Sequence, residues 1–309
     1  VVVANTLEIV GTSTDMNSLI TITAATNKRH FYLNNANAKL ILRYLKLVGG
    51  DVSSYSDPDN TGGSILIDTN GGELNLYSSI VFNNKAAQGG GIYAYGGSGS
   101  NRNASMNIYN SIIHNNEATT DAGGGIRMWY AVGTIYNTTI DNNQAYRGGG
   151  GMYMSISAVT MKNTIISNND AYYGGGLYIE GDSTTVTLRQ SSFINNDDAT
   201  TNQGDEIGTF QSSITSITIS LINTYFNNPN NNNNIYEDSG TPTWKTCSDN
   251  LCTETPFTGT CNAVNSGNAK FGVDCACATT NDFKCVIRIC NTGKFKNVQS
   301  KTYQSICTN

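Results

Sequence analysis

A short phrase recurs five times in this chain, and glycine follows it each time. It reads Val81-Phe82-Asn83-Asn84-Lys85-Ala86, Ile113-His114-Asn115-Asn116-Glu117-Ala118, Ile140-Asp141-Asn142-Asn143-Gln144-Ala145, Ile166-Ser167-Asn168-Asn169-Asp170-Ala171 and, with one more residue before the alanine, Phe193-Ile194-Asn195-Asn196-Asp197-Asp198-Ala199. The glycines are Gly89, Gly123, Gly148, Gly174 and Gly204, and the first asparagines lie 32, 27, 26 and 27 residues apart. A period of this length without helical signals specifies a solenoid, in which each unit buries its apolar face against its neighbours.

Aligning the units on the first asparagine exposes a period of two. Two residues upstream stand Val81, Ile113, Ile140, Ile166 and Phe193; seven upstream stand Leu76, Ile108, Ile135, Met161 and Leu188; nine upstream stand Leu74, Met106, Gly133, Val159 and Val186. The eighth position is polar throughout (Asn75, Asn107, Thr134, Thr160, Thr187) and is expected to face water. Such alternation marks strands with one buried face. A second strand follows the glycines, as in Ile92-Tyr93-Ala94, Ile126-Arg127-Met128, Met152-Tyr153-Met154 and Leu177-Tyr178-Ile179, with the outer two residues inward and the middle one outward. The Asn pair and the glycines are expected to turn the chain at φ > 0, and stacking would let the Asn amides bond along the axis. The same register reaches back to Leu7 and forward to Phe226, giving seven or eight coils.

The phrases Gly90-Gly91-Ile92, Gly124-Gly125-Ile126, Gly150-Gly151-Met152 and Gly175-Gly176-Leu177, with the Asn phrases, resemble the repeats of chlamydial polymorphic outer-membrane proteins and their bacterial and protist relatives. Only the last Asn phrase carries that family's Phe, at Phe193. The resemblance covers roughly residues 60–200 and implies an all-β, right-handed parallel β-helix of the pectin-lyase-like type. It implies no activity, because that fold carries lyases, hydrolases, adhesins and inert rods.

All eight cysteines (Cys247, Cys252, Cys261, Cys275, Cys277, Cys285, Cys290 and Cys307) fall in the last 63 residues. Their even number and confinement indicate a disulfide framework formed in an oxidising compartment. The chain therefore divides into a β-helix over 1–240 and a small disulfide-rich domain over 241–309. The order of cysteine gaps in that tail resembles an epidermal-growth-factor-like module. The opening Val1-Val2-Val3 lacks a signal-peptide pattern, which points to a processed chain or part of a precursor.

Charged residues make up 13% of the chain, the net charge is −5, and no basic run occurs. Nucleic acid is thereby disfavoured as a partner, and no apolar stretch is long enough to span a bilayer. Polysaccharide cleavage needs paired carboxylates with a cationic partner. The outward strand positions read as Asn, Thr, Tyr and Ser, interrupted by Asp141 and Glu180, and the two histidines, His30 and His114, stand in unrelated contexts. No catalytic, cofactor or metal residue is assigned; Asp57-Pro58-Asp59-Asn60 offers hard oxygen ligands of the kind calcium takes, with a solvated turn as the commoner explanation of such a loop.

Two aromatic ladders are the candidate contact surfaces: Tyr77, Tyr109 and Tyr136, continued by Lys162 and Arg189; and Tyr93, Tyr153 and Tyr178, interrupted by Arg127, with Tyr95 and Trp129 two residues further on. Asn103 and Asn137 head glycosylation sequons, the former in an exposed insertion. The expectation is a secreted, non-enzymatic structural protein that associates with itself in an appendage, filament or matrix. A glycan-binding adhesin is the alternative, ahead of a polysaccharide lyase or hydrolase. An apolar strand such as Val1-Val2-Val3 could join a neighbouring copy end to end.

Overall fold

The computed structural model describes residues 1–57, 59–97, 103–181, 183–198, 206–210, 217–222 and 224–227, with the backbone of strands Ile235–Glu237, Thr243–Cys247, Pro256–Phe257, Ala269–Cys277 and Phe283–Asn291. The chain is a right-handed parallel β-helix. One coil shows the plan. Ala104–Tyr109 belongs to a ten-stranded sheet, Ile112–His114 to an eight-stranded sheet, Glu117–Ala118 to a short five-stranded sheet, and Ile126–Trp129 to a nine-stranded sheet. The chain then re-enters the ten-stranded sheet at Ala131–Tyr136, one coil further along. Eight such circuits run from Thr6 to Glu237, and parallel pairing continues into Thr243–Cys247. At roughly 4.8 Å per coil the stack is about 38 Å long.

Strict register stacks like on like. Val81, Ile113, Ile140, Ile166 and Phe193 are consecutive Cα partners, all without solvent exposure. So are Leu76, Ile108, Ile135, Met161 and Leu188. Each such side chain contributes about 1.5–3 kcal/mol by leaving water. Gly133 breaks its column, and the methyl of Met128 occupies the space a Cβ there would enter.

The corners explain the asparagines. The first of each pair turns the chain in the left-handed region, at φ 53° for Asn83, 55° for Asn115, 52° for Asn142, 52° for Asn168 and 55° for Asn195. Asn tolerates that region better than any other non-glycine residue. The second of each pair points inward and is buried. Its Nδ2 donates to the Oδ1 of the next coil's asparagine: Asn84 to Asn116 at 2.9 Å, Asn116 to Asn143 at 2.9 Å, Asn143 to Asn169 at 3.0 Å, Asn169 to Asn196 at 2.8 Å, with Asn196 bonding Glu206. Each Oδ1 also accepts the preceding asparagine's backbone N–H, as in Asn116 N to Asn143 Oδ1 at 3.0 Å. The opposite corner uses Ser79, Ser111 and Thr138 similarly. Ser79 Oγ accepts Leu45 N–H at 3.1 Å and donates to Tyr77 O at 2.7 Å. Polar corners thus stay buried with their hydrogen bonds made along the rod.

Two expectations about outward residues need correction. Asn75, expected in water, is buried; it donates to Glu73 Oε1 at 2.7 Å and accepts from Asn107 Nδ2 at 3.2 Å. Tyr93, Tyr153 and Tyr178, expected as a contact surface, are 5%, 5% and 4% exposed. They do leave the outer face of the nine-stranded sheet. Above them, however, Ala122, just before Gly123, and Tyr173, at the end of the five-stranded sheet's strand Asp170–Tyr173, pack with Tyr153 and Tyr178. A second, smaller apolar layer results.

Candidate functional site

The first candidate face is the outer side of the ten-stranded sheet. Register places Arg43, Tyr77, Tyr109, Tyr136, Lys162 and Arg189 in one column. Tyr77 and Tyr109 stack with ring centroids 5.1 Å apart and planes 8° apart, and the Arg43 guanidinium lies 4.0 Å from the Tyr77 centroid. Tyr136 is 38% exposed and Val132, on the same strand, 36%. The Tyr77 and Tyr109 rings are pre-ordered by stacking, so they have little freedom left to lose on contact.

The second face is the nine-stranded sheet, where the covered tyrosines surround an ionic cluster. Arg127 takes the ladder position between Tyr93 and Tyr153 and is buried. Its guanidinium carbon lies 5.5 Å from the Tyr93 centroid and 4.7 Å from that of Tyr153, and its Nη1 is 2.5 Å from Asp121 Oδ2. Burial opposes the charge on Arg127, but Tyr93, Asp121 and Tyr153 outweigh it and hold its pKa above the ordinary value. Burial also raises the Tyr93 phenol to about 12. Tyr153 is raised further, by burial and then by Glu180, whose carboxylate accepts its hydroxyl proton at 2.8 Å. Half-exposed Arg147 stands between two carboxylates, 3.7 Å from Asp121 and 3.8 Å from Glu180. At the rim, Tyr95 stacks on Trp129 (5.1 Å) and Trp129 on Tyr130 (5.9 Å).

Sequence reasoning identified Tyr95, Trp129 and Glu180 but missed Asp121 and Arg147. Both sit in the segment just before a coil's glycine, at Asp121-Ala122-Gly123 and Arg147-Gly148, and Arg147 N–H bonds Asp121 O at 2.9 Å across the coils. A charge at that repeat position in consecutive coils was the available signal.

The remaining residues are dispersed. His30 is buried between Ile22 O (3.0 Å) and Ser64 Oγ (3.0 Å), and burial lowers its pKa. His114 stacks on Phe82 at 4.5 Å, and burial lowers its pKa too. Asp141 accepts from Ser167 Oγ (2.7 Å) and Asn168 Nδ2 (2.8 Å). A polar trough of about 360 Å³ runs along the asparagine corner, lined by Asn83, Asn115, Asn142, Asn168, Glu117 and Asp170. Among the described residues, no group of three or more His, Cys, Asp or Glu gathers in a way that could hold a metal ion, and no helix is long and apolar enough to cross a membrane. Asn103 and Asn137 are both exposed; Asn137 Nδ2 donates to Asn110 Oδ1 at 2.8 Å. Cys252, Cys261 and Cys307 lie outside the described residues. For Cys247, Cys275, Cys277, Cys285 and Cys290 only backbone is described, with Cys275 opposite Cys285 in an antiparallel pair.

No protein-family model, curated protein or solved structure matches this chain.

Proposed function

We propose that this protein is an extracellular structural rod that associates with copies of itself side by side, as a subunit of an appendage, filament or matrix. The Tyr77–Tyr109–Tyr136 ladder carries this reading. Tyr77 and Tyr109 are stacked on a regular sheet face, and Tyr136 continues the column as an exposed ring with the exposed Val132 on the same strand. Aromatic rings with polar rims are favoured at protein interfaces. A face that meets its own copy pairs two rods by a two-fold, self-complementary contact, and a head-to-tail contact between rod ends would extend such pairs into a filament. The rod behind it is stiffened by the asparagine ladder, each rung tied to the next through backbone and side chain. The likeness to chlamydial surface-protein repeats and the epidermal-growth-factor-like spacing of the tail belong to the same reading, as does an oxidising, extracellular location for eight clustered cysteines.

Sedimentation velocity on the full chain tests it. The expected result is a concentration-dependent shift to larger species, abolished by Tyr109→Ser with Tyr136→Ser while the β-rich circular dichroism is retained. Wild-type protein that stays monomeric at every concentration would overturn self-association. Assembly that survives the double substitution would remove the ladder as its surface.

A further inference from the structure

The outermost column of the nine-stranded sheet reads Tyr95, Trp129, Ser155, Glu180, Phe210 on successive coils. At roughly 4.8 Å per coil, Trp129 and Glu180 stand about 10 Å apart along the axis with only a serine between them. Tyr95, Trp129 and Tyr130 form a partly exposed aromatic platform at one end of this run, and the small Ser155 in its middle is 7% exposed. Glu180 and Arg147 supply an acceptor and a donor at the other. We infer that this column is a binding site for a neutral glycan lying along the rod, one sugar ring on Trp129 and its neighbours' hydroxyls on Glu180 and Arg147.

Three observations select that ligand class. The two carboxylates, Asp121 and Glu180, are balanced by two guanidiniums, Arg127 and Arg147, so the cluster carries no net charge to draw a polyanion. The column lies on the face of a sheet whose strands already pair on both sides, so it offers no free strand edge for a peptide main chain. A purely apolar ligand would desolvate Glu180 and Arg147 without replacing their hydrogen bonds. A sugar has an apolar ring face for the platform and hydroxyls that both donate and accept.

Tyr130 extends the platform. It occupies the turn into the ten-stranded sheet at φ +52°, a strained conformation for a side-chain-bearing residue. One coil on, Ile156 fills the same turn at φ +48°, and two coils on Gly181 does so at φ +80°, so the turn imposes its conformation on whichever residue stands there. In this coil that residue is Tyr130, whose ring centroid lies 5.9 Å from that of Trp129.

Affinity electrophoresis of the full chain tests the site, with gels containing xyloglucan, galactomannan, mannan or dextran as neutral probes and alginate as the acidic one. The expected result is retardation by at least one neutral polymer, weakened tenfold or more by Trp129→Ala and by Tyr130→Gly. The thermal midpoint of Tyr130→Gly should equal or exceed that of the wild type, which a merely structural role for the ring would not give. Ile165→Ser, at an exposed position of the eight-stranded sheet, should leave retardation unchanged. Retardation by alginate alone, by no polymer, or equally in the Trp129 variant would overturn the inference.

Discussion

Asn143 is the residue through which the rod's internal chemistry is best tested. Its Oδ1 accepts from Asn116 N at 3.0 Å and Asn116 Nδ2 at 2.9 Å, and its Nδ2 donates to Ile113 O and Asn169 Oδ1, both at 3.0 Å. Asn143→Leu keeps the γ-branched heavy-atom shape but removes all four bonds and strands the buried Asn116 N–H. One unsatisfied buried donor costs about 1–3 kcal/mol, and the other bonds add a net contribution near 1 kcal/mol between them. The expected loss is therefore about 2–4 kcal/mol, a large share of a typical folding free energy. Asn143→Asp is sharper. It keeps the acceptor but sets a second oxygen against two others at 3.0 Å in a buried site, so the folded protein must hold the carboxyl protonated. Its folded pKa is then raised above the unfolded value near 3.9. Below that value the variant resembles the wild type; above it stability falls by about 1.4 kcal/mol per pH unit until the folded pKa is reached. Urea unfolding across pH, with hydrogen exchange at the Asn116 amide, measures both effects. A shift under about 0.5 kcal/mol for Asn143→Leu, or a pH slope for Asn143→Asp no steeper than wild type, would refute the ladder's structural role.

Asp170 has its pKa raised, first by partial burial and also by Asp197 on the next coil. The folded state thus favours its proton, and the penalty appears as pH rises above the ordinary carboxylate range; Asp170→Asn should raise the thermal midpoint at pH 7 and lose that advantage near pH 3. Non-reduced peptide mapping should find all eight cysteines paired with one another, and several free thiols would contradict this. Glycopeptide analysis of native material should find Asn103 modified, and Asn137, whose amide is held by Asn110, less so. Incubation with pectin, alginate or neutral β-glucans should release neither unsaturated nor reducing sugars; release that disappears on changing Asp121 or Glu180 would assign the ionic cluster a catalytic role.

The coil was legible because three of its determinants are local. Alternation marks Ile108 and Met106 as inward without knowledge of any neighbour, the Asn pair and the glycines announce φ > 0, and equal spacing makes each unit's partner the next unit. Even the axial amide bonds follow once like stacks on like. Asn75 shows where locality ends. Its position in the alternation is outward, but Glu73, two residues back on the same face, and Asn107, from the next coil, close over it, and the second of these is not written in its own strand.

The covered face makes the same point on a larger scale and explains why the functional cluster was only half visible. Alternation tells which side of a sheet Tyr93, Arg127, Tyr153 and Tyr178 leave from, not what lies above that side. What lies above is set by the segment between the Asn phrase and the glycine. That segment ends where no Cβ fits: an added carbon would fall 2.7 Å from Tyr93 Cβ at Gly89, 2.7 Å from Arg127 Cβ at Gly123 and 2.9 Å from Tyr178 Cδ1 at Gly148. The glycines therefore do more than turn the chain. They let the segment lie close over the sheet, and that closeness covers the tyrosines and brings Asp121 and Arg147 to Arg127 and Glu180. Only the rim beyond the overlap stays open, where Tyr95, Trp129, Tyr130 and Phe210 are partly exposed. The repeat that makes the rod thus also decides which of its aromatics remain available to a partner.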